Sequence, residues 1–267
     1  LLLLLSVSSC GSKKDTEADM LFQSAVEAYN NQDYAKAQAL IDSLHHTYVT
    51  RVDLRRSADT IAWRMDLLNI KEQMPVTDSL LEVRCAEAEA MAKNFKYEKD
   101  EQYQDLGDYE HVRLATANNT SRNYLHAKTD EHGKFSFVAQ YVGKSLNLRR
   151  VSVVFDKAQL ETETVEESSC NVFTRDGVNC EMVLFDQETA GKLPAVLADN
   201  YENNTKVTVI YHGDTDYSYT LSNGDVIAFI ETYRFSLLLK EIHMLQTQKE
   251  NNAKRLVLLQ ERLQDVS

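Results

Sequence analysis

Cys170 and Cys180 stand on either side of Asp176-Gly177. A thiol on each side of a turn can close a disulfide across a hairpin, although two unpaired thiols leave the same pattern. The pair is a candidate disulfide. Cys85 sits beside Ala86 and Ala88 in a helical stretch and reads as a small packing residue. Asp214, Asp216, Ser218 and Asp225 fall at offsets 1, 3, 5 and 12 of a calcium loop. Offset 6, which needs glycine, is Tyr219, and the flanks read as strands rather than helices. A solvated hairpin tip accounts for these residues better. The segment from Val138 to Ser145 ends in Gly143-Lys144-Ser145, as a phosphate-binding loop does. It has no glycine at Val138 and no helix to follow.

His45 and His46 are neighbours on a helix and diverge. His126, His132 and His212 lie in or near turns and meet only if folding brings them together. No HxH, HExxH or CxxC spacing occurs, and no GxSxG. Glu161, Glu163, Glu166 and Glu167 form a charge run of the kind that marks a solvated loop. These patterns give no catalytic residue, no metal site and no cofactor.

Two kinds of element must hold these residues. From Ala18 onward, apolar residues recur at three- and four-residue spacing: Met20, Leu21, Ala25, Ala28 and Tyr29. Asn30 to Asp33 breaks that helix. A second follows with Tyr34, Ala37, Leu40, Ile41 and Leu44, and a third with Leu54, Ala58, Ile61, Ala62, Met65 and Leu68. Pro75-Val76-Thr77-Asp78 punctuates the chain, and a longer helix is expected to about Tyr103, with Leu81, Cys85, Ala88, Ala92 and Phe95 on one face. Near the other end, Leu238, Ile242, Leu245, Lys249, Asn252, Leu256, Leu259 and Leu263 alternate steps of four and three, a coiled-coil seam. Lys249 and Asn252 interrupt it, which lowers stability and helps to fix register.

Between these helices the period falls to two. Strands are predicted at 111–114, 135–138, 151–155, 181–185, 207–211 and 226–230, with turn signals at Gly133, Asp176-Gly177, Gly213 and Asn223-Gly224-Asp225. Strands at hairpin spacing make an antiparallel β domain. The expected fold class is therefore α+β. A partial signal peptide covers 1–9 and a lipidated tether 10–17. A helical hairpin or bundle covers 18–74, a stalk helix 75–105, and an inserted antiparallel β domain 106–232. A C-terminal coiled-coil helix at 233–267 runs antiparallel to the stalk helix.

Two prolines and eight glycines favour long uninterrupted helices. A net charge of −12 repels phosphate backbones and argues against nucleic acid as a partner. Leu1 to Leu5 are apolar and Val7-Ser8-Ser9 small, a run too short for a membrane span, which needs about 20 residues. Val7-Ser8-Ser9-Cys10 resembles the bacterial lipobox, whose cysteine is lipidated and becomes the mature N-terminus. The resemblance implies acylation of Cys10 and a lipid bilayer as partner, each buried methylene contributing about 0.8 kcal/mol. With no methionine or basic start before Leu1, the signal is expected to begin upstream. Gly11-Ser12-Lys13-Lys14 has neither the aspartate that retains lipoproteins in the inner membrane nor the acidic run that sends Bacteroidota lipoproteins to the surface. A periplasm-facing outer-membrane lipoprotein is implied, with surface display open.

Ala25, Tyr29, Asp33-Tyr34, Ala37, Ile41, Leu44 and Tyr48 resemble a single tetratricopeptide-like hairpin, with Asn31 where glycine is common and Val49 where proline often closes the repeat. That implies a helical packing unit and no chemistry. Asp42-Ser43-Leu44, Asp59-Thr60-Ile61 and Asp78-Ser79-Leu80 resemble the short Bacteroidota O-glycosylation motif. Ser79, next to the natural helix cap Asp78, is the candidate site.

The expectation is a non-enzymatic, membrane-anchored envelope lipoprotein that acts as a scaffold or protein–protein interaction module for another envelope protein. The alternative is a small-ligand (glycan) binder that uses Tyr201, Tyr211, Tyr217, Tyr219 and Tyr233 of the β domain as stacking surfaces. A concave aromatic-lined pocket would favour the ligand, a flat apolar patch the scaffold.

Overall fold

The computed structural model describes residues 10–115, 121–156, 158–202 and 205–266, without the side chains of 10–13. The signal expected at 1–9 lies outside them. The fold is α+β, and its described residues form two compact units. One comprises residues up to Ser79 together with those from Thr247, the other Leu80–Gln246.

The first unit is helical. Helix α1 (Cys10–Asn30) begins where a tether is expected, and α2 (Tyr34–Thr47) follows a turn in which Gln32 takes φ 61°. Asp33 caps α2 by accepting from the Lys36 amide at 3.2 Å. The third helix, α3 (Val52–Ala92), belongs to this unit as far as Ser79. Alanines bring the helices close: Ala18, Ala25, Ala28, Ala37 and Ala58 are buried with Ile41, Leu44, Ile61 and Met65. The last helix, α6 (Asn223–Asp265), contributes its residues from Thr247 and lies antiparallel to α3. Lys249 meets Asp78 at 2.7 Å, Arg255 meets Asp66 at 2.5 Å, and Arg262 lies over the Trp63 ring. Pro75 does not interrupt α3, contrary to expectation. Thr77 beyond it is buried in step with Ile70, and Pro75 itself is exposed, so its ring faces water while the buried stripe continues.

In the second unit α3 ends at Ala92 rather than near Tyr103. Phe95 turns inward as the first residue of a strand. Strands β1 (Phe95–Glu98), β2 (Asp108–His111), β3 (Tyr124–Asp130), β4 (Phe135–Gly143), β7 (Cys170–Arg175) and β8 (Val178–Phe185) form one sheet, in the order β1-β2-β3-β4-β8-β7. Strands β5 (Arg150–Phe155), β6 (Ala158–Glu161), β9 (Val207–His212) and β10 (Asp216–Leu221) form another, in the order β10-β9-β5-β6. All pairings are antiparallel. Alternation sets the inner faces: Leu125, Ala127, Phe137, Ala139, Val183 and Phe185 on the larger sheet meet Val151, Val153, Val207 and Val209 on the smaller. Short helices α4 (Gln187–Ala190) and α5 (Leu193–Asn200) add Ala190, Leu193 and Leu197 to this core.

The segment 226–230, expected as a strand, is the first part of α6. Val226, Ala228, Phe229 and Ile230 are all buried, and a helix buried on every side carries the same apolar run as a buried strand. Ser222 decides the matter locally, because its hydroxyl accepts from the Asp225 amide at 3.2 Å and so starts the helix at what reads as a turn. Phe229 then packs edge-on against Phe135 and Phe137, and Phe235 stacks on Phe95 at 4.6 Å. Arg84 of α3 meets Glu241 of α6 at 3.0 Å within this unit.

Candidate functional site

The cysteines are not joined. In the β7–β8 hairpin Arg175 faces Val178 across the turn, so Cys170 lies opposite Val183 and Cys180 opposite Phe173. The two are three register positions out of step, an odd offset, and their side chains leave opposite faces of the sheet. Cys85, Cys170 and Cys180 are free, and burial pushes the Cys180 thiol pKa upward. Cys10 opens α1, with its side chain outside the described residues. Ser79 is exposed on the interior of α3.

The histidines do not converge. His45 accepts from Arg55 and faces Asp59, His126 faces Glu110, His111 faces Glu231, and His132 stacks on His243 at 3.7 Å. Among the described residues no group of three or more His, Cys, Asp or Glu could hold a metal ion. The four residues at calcium-loop offsets separate: Asp216 faces His212, Asp214 accepts from Asn147, and Asp225 is buried elsewhere.

The tyrosines turn inward. Tyr211 is fully buried, donates to the Tyr124 and Gln140 carbonyls at 2.9 and 3.2 Å, and shares a 2.8 Å hydrogen bond with Tyr219. Tyr217 packs on Tyr141, and Tyr233 on Phe135. Burial raises the pKa of Tyr211 and of Tyr219 above the ordinary phenol value. Of the five stacking candidates, Tyr201 lines a cavity, a space of about 410 Å³ shared with Ile227, Ile230, Glu231 and Arg234.

Two buried carboxylates organise the β unit. Asp225, 1% exposed, receives Arg113 at 2.9 Å and Arg122 at 2.7 Å. Burial alone would raise its pKa; hydrogen bonds from Arg122 and Ser222, with the charges of Arg122 and Arg113, outweigh it and hold the pKa below the usual value. Glu181, also 1% exposed, accepts the amides of Leu146, Asn147 and Leu148 at 2.6, 3.2 and 2.8 Å and the Asn179 side chain at 3.0 Å. It thereby fixes the 146–149 segment. Neither residue is distinguishable in sequence from the other acidic side chains.

That segment forms one wall of a cleft of about 730 Å³ lined by Asn147, Arg149, Arg150, Thr164, His212, Gly213 and Asp214. Gly213 is required, since a Cβ there would run into the Leu146 carbonyl oxygen. Behind the cleft, on the outer face of the smaller sheet, His212 Nε2 lies 2.6 Å from Ser152 Oγ and Nδ1 2.8 Å from Asp216. The order serine, histidine, aspartate is that of a nucleophilic triad. Its setting is different. Ser152 is fully buried and also reaches Glu161 at 3.1 Å, and β5 is paired on both sides, which engages its amides in ladders and leaves none to form an oxyanion hole. The trio is a cross-strand polar network. Hydrogen bonds from Gln159 and Ser152 lower the Glu161 pKa within it.

The outer face of the larger sheet divides in two. Over β1 to β3 it is charged, with Lys96 paired to Glu98, Lys128 to Asp108 at 2.6 Å, and His126 to Glu110 at 3.2 Å. From β4 across β8 to β7 it is mainly apolar: Val138, Val142, Met182, Leu184 and Phe173 share that face with Gln140, Asn171 and Arg175, Leu184 being 44% exposed. It ends at β7, an edge strand that pairs with β8 on one side alone among the described residues. No protein-family model matches the chain, and no curated protein matches it in sequence.

Proposed function

We propose that the chain is a non-enzymatic envelope lipoprotein of the Bacteroidota type, held at a bilayer by acylated Cys10 and working as a scaffold through protein–protein contact. The carrying observation is the apolar half of the larger sheet's outer face, which runs into the open edge of β7. An edge strand offers unpaired backbone groups, and an apolar face beside it offers side-chain contacts. The matching partner is an envelope protein that presents an extended segment with alternate apolar residues, able to add to β7 as a further strand. The inward-turned tyrosines favour this over the glycan binder, and the net charge of −12 weighs against nucleic acid. An outer-membrane, periplasm-facing location belongs to the same proposal. No described helix is long and apolar enough to cross a membrane; in this proposal acylated Cys10 supplies the attachment.

Two experiments test this reading. Labelled fatty acid should enter the full chain in cells and be absent from Cys10→Ala. A photocrosslinker placed at Phe173 or Leu184 should give a discrete product with one envelope protein in intact cells, and one at Thr220 on the smaller sheet should not. Leu184→Asp should abolish the product without altering the folded circular-dichroism spectrum. Identical products from all positions, or none from any, would sink the contact surface.

A further inference from the structure

In a chain of net charge −12, the lining of the cleft beside β5 includes two arginines and a histidine. Its frame is fixed independently of any ligand: Glu181 pins the 146–149 backbone from within, Asn147 takes φ 55°, and Asp214 is tied to Asn147 at 2.6 Å and to the Leu146 carbonyl at 2.8 Å. Preformed walls lower the ordering cost of binding. The two arginines differ. Arg150 is paired with Glu161 at 2.9 Å. Arg149 is half-buried and reaches the Cys170 sulfur at 3.1 Å, a weak acceptor, and among the described residues it enters no ion pair.

The remaining lining selects among anions. Asp214 places a carboxylate in the same cleft, which disfavours a compact, multiply charged phosphate. The Asp214 carboxylate and the Thr164 hydroxyl instead suit the hydroxyl groups of a ligand, whereas a neutral sugar would leave Arg149 without a counter-charge. Among the described residues no Phe, Tyr or Trp lines the cleft, so recognition there is by hydrogen bonds and charge. We propose that this cleft binds a hydroxylated carboxylate of the uronic-acid class, its carboxylate on Arg149 and its hydroxyls on Asp214 and Thr164. The site is separate from the protein-contact face and does not depend on it.

The test is a titration of the ¹⁵N-labelled chain with sodium glucuronate, glucose and inorganic phosphate, read from amide shifts. Glucuronate should give saturable shifts at Asn147, Thr164 and Gly213, with affinity at least about tenfold above glucose and phosphate. Arg149→Gln should weaken glucuronate by about tenfold or more with the remaining spectrum intact, and Arg175→Gln, on β7 outside the cleft, should not. If Arg149→Gln fails to fold, Asp214→Asn serves instead: it should weaken glucuronate and narrow its advantage over phosphate. Absence of saturable shifts, phosphate binding as tightly as glucuronate, or unchanged affinity in the variant that folds would overturn the proposal.

Discussion

Asp225 is one of the two buried carboxylates of the β unit, and the one that gathers arginines. Its carboxylate sits in the first turn of α6, where the helix N-terminus favours negative charge, and two arginines reach it from the 113–122 region. Asp225→Asn keeps the shape and removes the carboxylate charge that both guanidinium groups face. Because Arg113 and Arg122 are about half exposed, water takes up part of that loss. A destabilisation of about 2–3 kcal/mol at pH 7 is expected by urea unfolding. The pH dependence has a fixed sign. The folded pKa lies below the ordinary 3.8, so the contribution is complete above that value and disappears as pH falls through the lower folded one. The gap between wild type and Asp225→Asn should therefore close on acidification below about pH 3.8; a gap independent of pH would refute the charged pair. None of this was legible in sequence. Arg113 and Arg122 lie 112 and 103 residues from Asp225, and the Ser222-to-Asp225 start signal that places the carboxylate is hidden by Asn223-Gly224, which reads as a turn.

At the scale of elements, the long helices were the most legible part of the chain. The four-and-three alternation from Leu238 to Leu263 coincides with the least exposed stripe of α6, because a seam facing another helix must repeat at that period whatever its neighbour is. Its two exceptions behave differently. Lys249 leaves the seam for Asp78, while Asn252 stays half-buried with a side-chain nitrogen that meets no partner among the described residues. Asn252→Leu should stabilise the helical unit by about 1–2 kcal/mol in thermal or urea unfolding, since it removes an unsatisfied polar group and adds apolar contact. A loss of stability would mean that the asparagine makes a bond that the seam requires. Pro75 misled the reading because proline usually ends a helix, whereas an exposed one can be carried in a helix held by its buried side. Pro75→Ala should restore the missing amide and raise stability by about 1–3 kcal/mol, measurable by thermal unfolding. Short strands fared worse. β3 was missed because Tyr124, Leu125, His126 and Ala127 are all buried, so no alternation of polar and apolar residues marks it.

At the scale of the whole molecule, the described residues form two main apolar cores, one alanine-rich and helical, the other aromatic and aliphatic between two sheets, and a smaller cluster of Phe95, Phe235 and Leu239. Neither shares a buried residue with the other, although α3 and α6 each contribute residues to both units. Cooperativity follows buried contact more than chain connection, so a defect in one core should loosen that unit first. Ile41, 1% exposed in the helical core, and Phe137, fully buried in the sheet core, test this. Ile41→Ala should cost about 2–5 kcal/mol through the cavity it leaves. Its effect on hydrogen exchange should fall on amides of α1 and α2, with β4 and β8 keeping wild-type protection. Phe137→Ala should do the reverse. If either substitution lowers protection equally in both units, the shared helices carry enough coupling to make one folding unit of the two cores. A ligand or partner bound to the β unit would then stabilise the helical unit as well, by mass action on a common unfolded state. If the effects stay apart, binding at the β unit leaves the stability of the helical unit unchanged, and the two are free to serve separate roles on one chain.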